Sequence, residues 1–264
     1  MKIGVTGVTG RMGETIAKLA FQHEFVDLES CLVRANSEFV NQDLGEFLGF
    51  EKNGKNLTSN LDDFVQNCDA IIDFSSPNLS LEIAQKCAEN KKILVCGTTG
   101  FLEHEKQKFA SYASETVIIW SSNMSLGVNL LMNLAQKVAH TLHDDFDVEI
   151  VEMHHKNKVD APSGTALSLG AAVAAGRGSD LQQIANMARV GKESARKKGE
   201  IGFAALRGGD VIGDHSVIFA GDGERIELTH KASNRDIFAK GAIRAAIWGS
   251  AKEVGFYSMR DVLS

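Results

Sequence analysis

The chain has 264 residues, 44% hydrophobic and 23% charged, enough to bury a real core in one large domain or two moderate ones. Acids outnumber bases by 34 to 28, a formal net charge of -6, which excludes a global nucleic-acid binder because phosphate contacts need a basic face. No apolar run approaches the roughly 20 residues that span a bilayer, and the N-terminus lacks a signal-peptide pattern, so the expectation is a cytoplasmic enzyme with no membrane partner.

Lys2–Thr6 reads as a short buried strand and Gly13–Phe25 as a helix with Ile16, Ala17, Leu19 and Ala20 along its stripe. The strand Val26–Val33 follows at once. Ala70–Phe74 is another buried strand, after which Ser76-Pro77 opens a helix carrying Leu79, Ile83, Ala84 and Cys87. Proline fits there because the first helical N–H has no helical partner. Ile93–Cys96 and Val117–Trp120 are further strands, separated by the Gly97-Thr98-Thr99-Gly100 loop and a polar helix. Apolar strands alternating with helices predict a parallel sheet covered on both faces, a doubly wound Rossmann-type α/β fold over residues 1–125.

From residue 126 the pattern changes. Leu126–His143 reads as a long helix with Leu130, Leu131, Leu134 and Val138 at helical spacing, followed by a strand at Phe146–Met153 and a helix at Thr165–Ala175. Lys192–Glu200 is a charge-rich stretch expected to be a solvated loop. Ile201–Arg207, His215–Ala220 and Arg225–His230 are strand-like, the last alternating Ile226 and Leu228 with Glu227 and Thr229 as a sheet with one wet face does. Arg235–Val254 is an amphipathic helix built on Ile237, Phe238, Ile243, Ala246 and Ile247. Residues 126–235 are thus expected to form a second, α+β domain.

The chemistry begins at Gly7-Val8-Thr9-Gly10-Arg11-Met12-Gly13, between the first strand and its helix. Gly7, Gly10 and Gly13 let the backbone turn, approach a pyrophosphate and pack the helix on the sheet, while the helix N-terminus faces the anion. The spacing is a variant of the usual dinucleotide fingerprint. An NAD site normally has an acid at the end of the second strand to hold the ribose hydroxyl; here that strand ends Leu32-Val33-Arg34. Arg34 and Arg11 suit a 2′-phosphate instead, which points to NADPH as the preferred cofactor, with NADH possible. Gly97, Thr98 and Thr99 and the stretch Ser121-Ser122-Asn123-Met124 follow later strands, where ligands bind in open α/β sheets.

The densest segment is Glu152–Thr165, which holds His154, His155, Lys156 and Lys158 within five positions of an otherwise acidic chain and suits a small anionic substrate. Ser163-Gly164-Thr165 then opens a helix, offering cap hydroxyls and backbone N–H groups to a carboxylate. Lysine and histidine can also deliver a proton. Cys31, Cys68, Cys87 and Cys96 show no C-x-x-C pair or zinc-ligand spacing, so they read as reduced structural thiols and no metal is expected. A semialdehyde dehydrogenase would share the glycine loop without needing the His154–Thr165 cluster, and a non-catalytic dinucleotide sensor would gain nothing from a proton donor.

These residues resemble the bacterial 4-hydroxy-tetrahydrodipicolinate reductases essentially end to end. The markers are Gly7–Gly13, Gly97–Gly100, Ser122-Asn123, the run Glu152–Thr165, Ile201-Gly202-Phe203 and Thr229–Ser233. The resemblance implies NAD(P)H-dependent reduction of a cyclic dicarboxylate imine on the diaminopimelate route to lysine, in the cytoplasm, by a homotetramer. It implies Lys158 as proton donor and His154 as the second acid–base group. His155, Lys158, Gly164 and Thr165, with Ser163 at the helix start, would hold the substrate carboxylates. Gly7, Val8, Thr9, Gly10, Arg11, Met12, Arg34, Gly97, Thr98, Thr99 and Ser121–Met124 would line the cofactor. It also implies that residues 236–264 pack back on the dinucleotide-binding domain and that the middle sheet forms the subunit interface. Several members carry an acid where Val33 stands and use both nucleotides, so Val33 again implies a preference for NADPH.

Overall fold

The computed structural model describes residues 1–191 and 195–264; of the Lys192–Glu200 stretch expected to be a loop, Lys192, Glu193 and Ser194 lie outside the described residues. The chain divides into two compact units, Met1–Leu126 with Arg235–Ser264, and Gly127–Asn234.

The first unit runs β1 (Lys2–Thr6), α1 (Arg11–Phe21), β2 (Asp27–Leu32), α2 (Leu44–Leu48), α3 (Leu61–Gln66), β3 (Ala70–Asp73), α4 (Pro77–Asn90), β4 (Ile93–Cys96), α5 (Glu103–Ser111) and β5 (Val117–Trp120). The second comprises α6 (Leu126–Leu142, of which Leu126 still belongs to the first unit), β6 (Asp147–His154), α7 (Gly164–Gly176), α8 (Leu181–Ile184), β7 (Ala185–Asn186), β8 (Ile201–Arg207), β9 (Gly213–Gly221) and β10 (Glu224–Ala232). The chain then returns to the first unit with α9 (Asp236–Gly249), β11 (Gly255–Tyr257) and α10 (Met259–Val262).

The first sheet has the order β2-β1-β3-β4-β5-β11, and every pairing is parallel. Successive strand residues face opposite sides. Ile72, Val95 and Ile119 therefore enter one core with Ile16 and Ala17 of α1 and Ala242 and Ile243 of α9. Ile71, Leu94 and Ile118 enter another with Phe64 of α3, Ile83 and Cys87 of α4 and Phe109 of α5. Covering both faces makes the sheet doubly wound, the Rossmann-type architecture expected from the sequence. All four cysteines are free and buried, and burial pushes every thiol up, Cys68 to about 12.

Helix boundaries differ from the periodic expectation for local reasons. Helix α1 starts at Arg11, with Gly10 as its cap, and stops at Phe21, leaving Phe25 exposed beyond it. Gly13 sits inside the helix because a Cβ there would lie 2.2 Å from the carbonyl oxygen of Gly7, so only glycine lets the helix pack on the turn. Helix α9 ends at Gly249, short of Val254, and the chain goes on to the unexpected edge strand β11.

In the second unit the sheet order is β10-β9-β6-β8-β7, with β6 parallel to β8 and antiparallel to β9. Its core includes Val148 and Ile150 of β6, Ile201 and Phe203 of β8, and Leu169 and Val173 of α7. Helix α6 buries Val128, Leu131, Met132, Ala135 and Ala139, whereas Leu130 and Leu134 of the expected stripe are 51% and 42% exposed. The inward face is set by close helix packing: a Cβ on Gly176 of α7 would stand 3.0 Å from the Cβ of Ala139, an approach that only small residues permit. Arg196, in the stretch expected to be solvated, instead pairs with Asp147 and Glu149 of β6, beside Arg189 on the same glutamate. Among the described residues, no helix is long and apolar enough to cross a membrane.

Candidate active site

In the first unit, a cavity of about 530 Å³ opens at the carboxyl edge of β1, β2 and β3. Its lining includes Gly7, Thr9 and Gly10 from the glycine turn, Val33 and Arg34 from the end of β2, and Ser75 and Ser76 after β3. Gly7 has φ +64°, and a Cβ on it would meet the carbonyl oxygen of Phe74 at 2.7 Å, so the turn exists only with glycine. The cap residue Gly10 brings no side-chain cap to the first turn of α1, which suits that helix end to an external anion. Arg34 is exposed at the cavity wall, while Val33 is buried and presents no carboxylate there.

The other expected cofactor residues divide by how they can act. Val8 and Met124 are 1% exposed and belong to the core, so each can offer only backbone, while Arg11 is exposed and Met12 half-buried on α1. Gly97 follows β4 and lies against the Phe74 ring, where a Cβ would stand at 2.3 Å. The Thr98 hydroxyl points inward, donating to Asp73 at 3.2 Å and accepting from the Ser75 N–H at 3.0 Å; Thr99 beside it is exposed. After β5 the loop is tied by its own side chains: Ser121 donates to the Asn123 carbonyl at 2.8 Å, Asn123 accepts the Ser125 N–H at 2.9 Å, and Ser122 is exposed. None of Gly97–Thr99 or Ser121–Met124 lines the glycine-turn cavity.

In the second unit the site grows out of β6. Alternation points Val148, Ile150, Glu152 and His154 inward, so the strand that starts in the core ends with a carboxylate and an imidazole on the same buried face. His154 Nδ1 lies 2.6 Å from Glu152 Oε2. The Arg207 guanidinium, at the end of β8, donates to both Glu152 oxygens at 2.8 and 2.9 Å, and the Ser163 N–H adds a bond of 3.0 Å. Burial pushes the Glu152 carboxyl up, but Arg207, His154 and the Ser163 amide outweigh it and hold the group below the usual glutamate range.

The turn after His154 carries His155, which is half-buried, and Lys158, whose ammonium bonds Asp160 at 2.8 Å. Arg207 also donates to the Asp160 carbonyl at 2.5 Å, so one guanidinium ties the carboxylate behind His154 to the loop that carries Lys158. Ser163 caps α7 by accepting the Ala166 N–H at 3.2 Å, and its hydroxyl meets His215 Nε2 at 3.1 Å; Gly164 and Thr165 form the helix start. Burial and then the neighbouring His154 push the His215 imidazole down to about 4, so it is neutral at pH 7. Glu152 and Arg207 thus tie His154, Ser163 and the loop of Lys158 together, while His155 follows His154, and Gly164 and Thr165 follow Ser163, in the chain.

Sequence reasoning assigned no role to Glu152, Asp160, Arg207 or His215. Glu152 has a readable signal, a charged residue at an inward position of an alternating strand. The Arg207 and His215 partnerships join residues 55 and 52 positions apart and leave no local pattern. Among the described residues, no group of three or more His, Cys, Asp or Glu side chains is arranged to hold a metal ion.

Two family models match the chain, the N-terminal part of dihydrodipicolinate reductase over residues 1–124 and its C-terminal part over residues 127–263. The 4-hydroxy-tetrahydrodipicolinate reductase of Agrobacterium fabrum is 49% identical over 264 residues, covering 100% of this chain and 96% of that protein. The reductase of the same name from Roseobacter denitrificans is 45% identical over 263 residues, covering 100% and 97%. Among solved structures, a dipicolinate-bound dihydrodipicolinate reductase from Paenisporosarcina sp. TG-14 superposes with TM-score 0.77 at 25% identity, covering 97% of each chain. An amine dehydrogenase from Mycobacterium smegmatis shares the fold at 12% identity, with TM-score 0.63 and 98% and 95% coverage.

Proposed function

The chain belongs to the dihydrodipicolinate reductase family of oxidoreductases, and from that premise we propose that it reduces 4-hydroxy-tetrahydrodipicolinate to tetrahydrodipicolinate, with loss of water, on the diaminopimelate route to lysine. The reading extends to NADPH as preferred cofactor over NADH, a cytoplasmic location and a homotetramer joined through the middle sheet.

The first unit, residues 1–126 with the returning C-terminal segment, is the dinucleotide-binding domain in this reading. The glycine cradle fits a dinucleotide: a Cβ on Gly7 or Gly13 would collide with backbone oxygens, and α1 begins without a side-chain cap. Gly7–Met12 would hold the pyrophosphate and Arg34, with Arg11, the 2′-phosphate, while Gly97–Thr99 and Ser121–Met124 would meet the nicotinamide half mainly through backbone. When bound, the dihydronicotinamide supplies the hydride. Val33 supports the NADPH preference because the end of β2 presents no carboxylate to repel a phosphate there.

Residues 127–234 are then the substrate domain. His155, Lys158 and the α7 start at Ser163, Gly164 and Thr165 would hold the two carboxylates, a role supported by the dicarboxylate dipicolinate in the Paenisporosarcina relative. The observation that carries the reading is the buried Glu152–His154 pair clamped by Arg207, on the same short segment as Lys158. Glu152 fixes the His154 ring with Nδ1 inward, leaving Nε2 as the group that can polarise substrate. Lys158 stabilises the electron density that builds on a conjugated imine as hydride adds, then gives its ammonium proton to the product. A lysine suits that last step because the developing enamine is fairly basic.

The test is oxidation of NADPH, and separately NADH, by the purified protein, with substrate generated in situ from pyruvate and aspartate semialdehyde by a verified coupling synthase. Turnover faster with NADPH is expected; no turnover with either nucleotide would overturn the reading.

A further inference from the structure

Outside the residues assigned above, one buried side chain gathers more polar partners than its neighbours. Asp73 closes β3, is fully buried, and accepts from the hydroxyls of Thr6 at 2.5 Å, Ser75 at 2.6 Å and Thr98 at 3.2 Å, and from that of Ser80 on α4. The Cys96 thiol adds a contact at 3.6 Å. A carboxylate has about four good acceptor positions and no proton to give, so four hydroxyls fill it.

That saturation has a directional consequence. Each hydroxyl spends its proton on Asp73 and turns its lone pairs outward. Thr6 Oγ1 then accepts the Phe74 N–H at 3.3 Å, and Thr98 Oγ1 accepts the Ser75 N–H at 3.0 Å. Thr6 immediately precedes Gly7, Ser75 lines the glycine-turn cavity, and Thr98 follows Gly97 after β4. The three loops leaving β1, β3 and β4 therefore hang from one carboxylate.

We infer that Asp73 is a positioning residue for nucleotide binding: it holds the glycine turn, the Phe74–Ser76 segment and the Gly97–Thr98 loop in one fixed arrangement without touching the nucleotide. The inference rests on the dinucleotide reading of the first unit. Asparagine in its place keeps the shape but turns one acceptor edge into a donor, which faces hydroxyl protons and forces them to turn into the loops.

The experiment measures NADPH affinity by the fluorescence of the bound dihydronicotinamide, together with thermal midpoint and steady-state kinetics, for the wild type, Asp73→Asn and Ser80→Ala. Ser80 lies on α4, outside the cavity lining, so its loss acts on Asp73 and on the Cys96 thiol beside it without removing a lining group. Asp73→Asn is expected to raise the NADPH Kd by about tenfold or more, while at saturating nucleotide the KM for the dicarboxylate stays within about twofold and kcat within about threefold. Ser80→Ala is expected to shift the Kd in the same direction by about two- to fivefold. A folded Asp73→Asn with unchanged Kd, or a dicarboxylate KM rising in step with it, overturns the inference. Should Asp73→Asn not fold, an unchanged Kd in Ser80→Ala does so. A wild type that binds neither NADPH nor NADH removes the dinucleotide reading itself, and the inference falls with it.

Discussion

Arg207 donates both terminal nitrogens to Glu152, at 2.8 and 2.9 Å, across 55 positions of sequence. A bidentate pair of this kind fixes a carboxylate in position and plane. The far side of that carboxylate takes His154 Nδ1 and the Ser163 amide, so the orientation of an imidazole and the start of a helix both follow from one guanidinium.

Replacing Glu152 with Gln keeps the volume but removes the charge and offers His154 a different hydrogen-bond face. The expected result is a fall in kcat of roughly 100-fold, the low end of the range general acid–base contributions span, with NADPH affinity unchanged. Arg207→Ala is expected to cost about 3 kcal/mol of stability by leaving Glu152 buried without its bidentate cationic partner. Steady-state kinetics and denaturant melts check both; native kcat in Glu152→Gln would show that the pair does not orient a working His154.

His215 makes stability depend on pH. Burial, then His154 and His230, lower its folded pKa from 6.5 to about 4, against the partial pull of Glu152. Between those values the unfolded chain binds a proton that the folded one does not, so stability is complete above about pH 6.5 and is lost as pH falls toward 4, by up to roughly 3 kcal/mol. Glu152, whose folded pKa is depressed, adds a loss in the same direction at lower pH. His215→Gln can still bond Ser163 but does not titrate, so its melting temperature should vary less across this window; equal slopes would remove His215 as the cause.

Arg34 is the exposed cation of the glycine-turn cavity, at the end of β2. Arg34→Ala is expected to raise the KM for NADPH by about tenfold or more, the loss of a charge-assisted contact, and that for NADH by less than about threefold. Equal losses for both nucleotides would rule out contact with the 2′-phosphate.

Much of the first unit is legible in the sequence because its strands are short apolar runs bounded by turn residues, and Ile93–Cys96 and Val117–Trp120 fall where the pattern puts them. Helices α2 and α3 are not, since five and six residues are too few to show a helical period; the only local signs are the caps Asp43 and Asn60, whose side chains take first-turn N–H groups. The exposed Leu130 and Leu134 show the limit of periodicity, which finds a helix but does not say which face a glycine on a neighbouring helix will accept. At the site, the glycine turn and the His154–Thr165 run are contiguous and readable. Arg207 and His215 act through partners more than 50 positions away, and Asp73 gathers hydroxyls from as far off as Thr6, so all three emerge only once the sheets are paired.

Lys158→Ala tests whether Lys158 delivers the proton in a nicotinamide-dependent reduction. With NADPH and the dicarboxylate generated in situ, kcat should fall by about 100-fold or more, while NADPH binding, followed by its fluorescence, stays at the wild-type Kd. A Lys158→Ala enzyme with native kcat would rule out Lys158 as the proton donor.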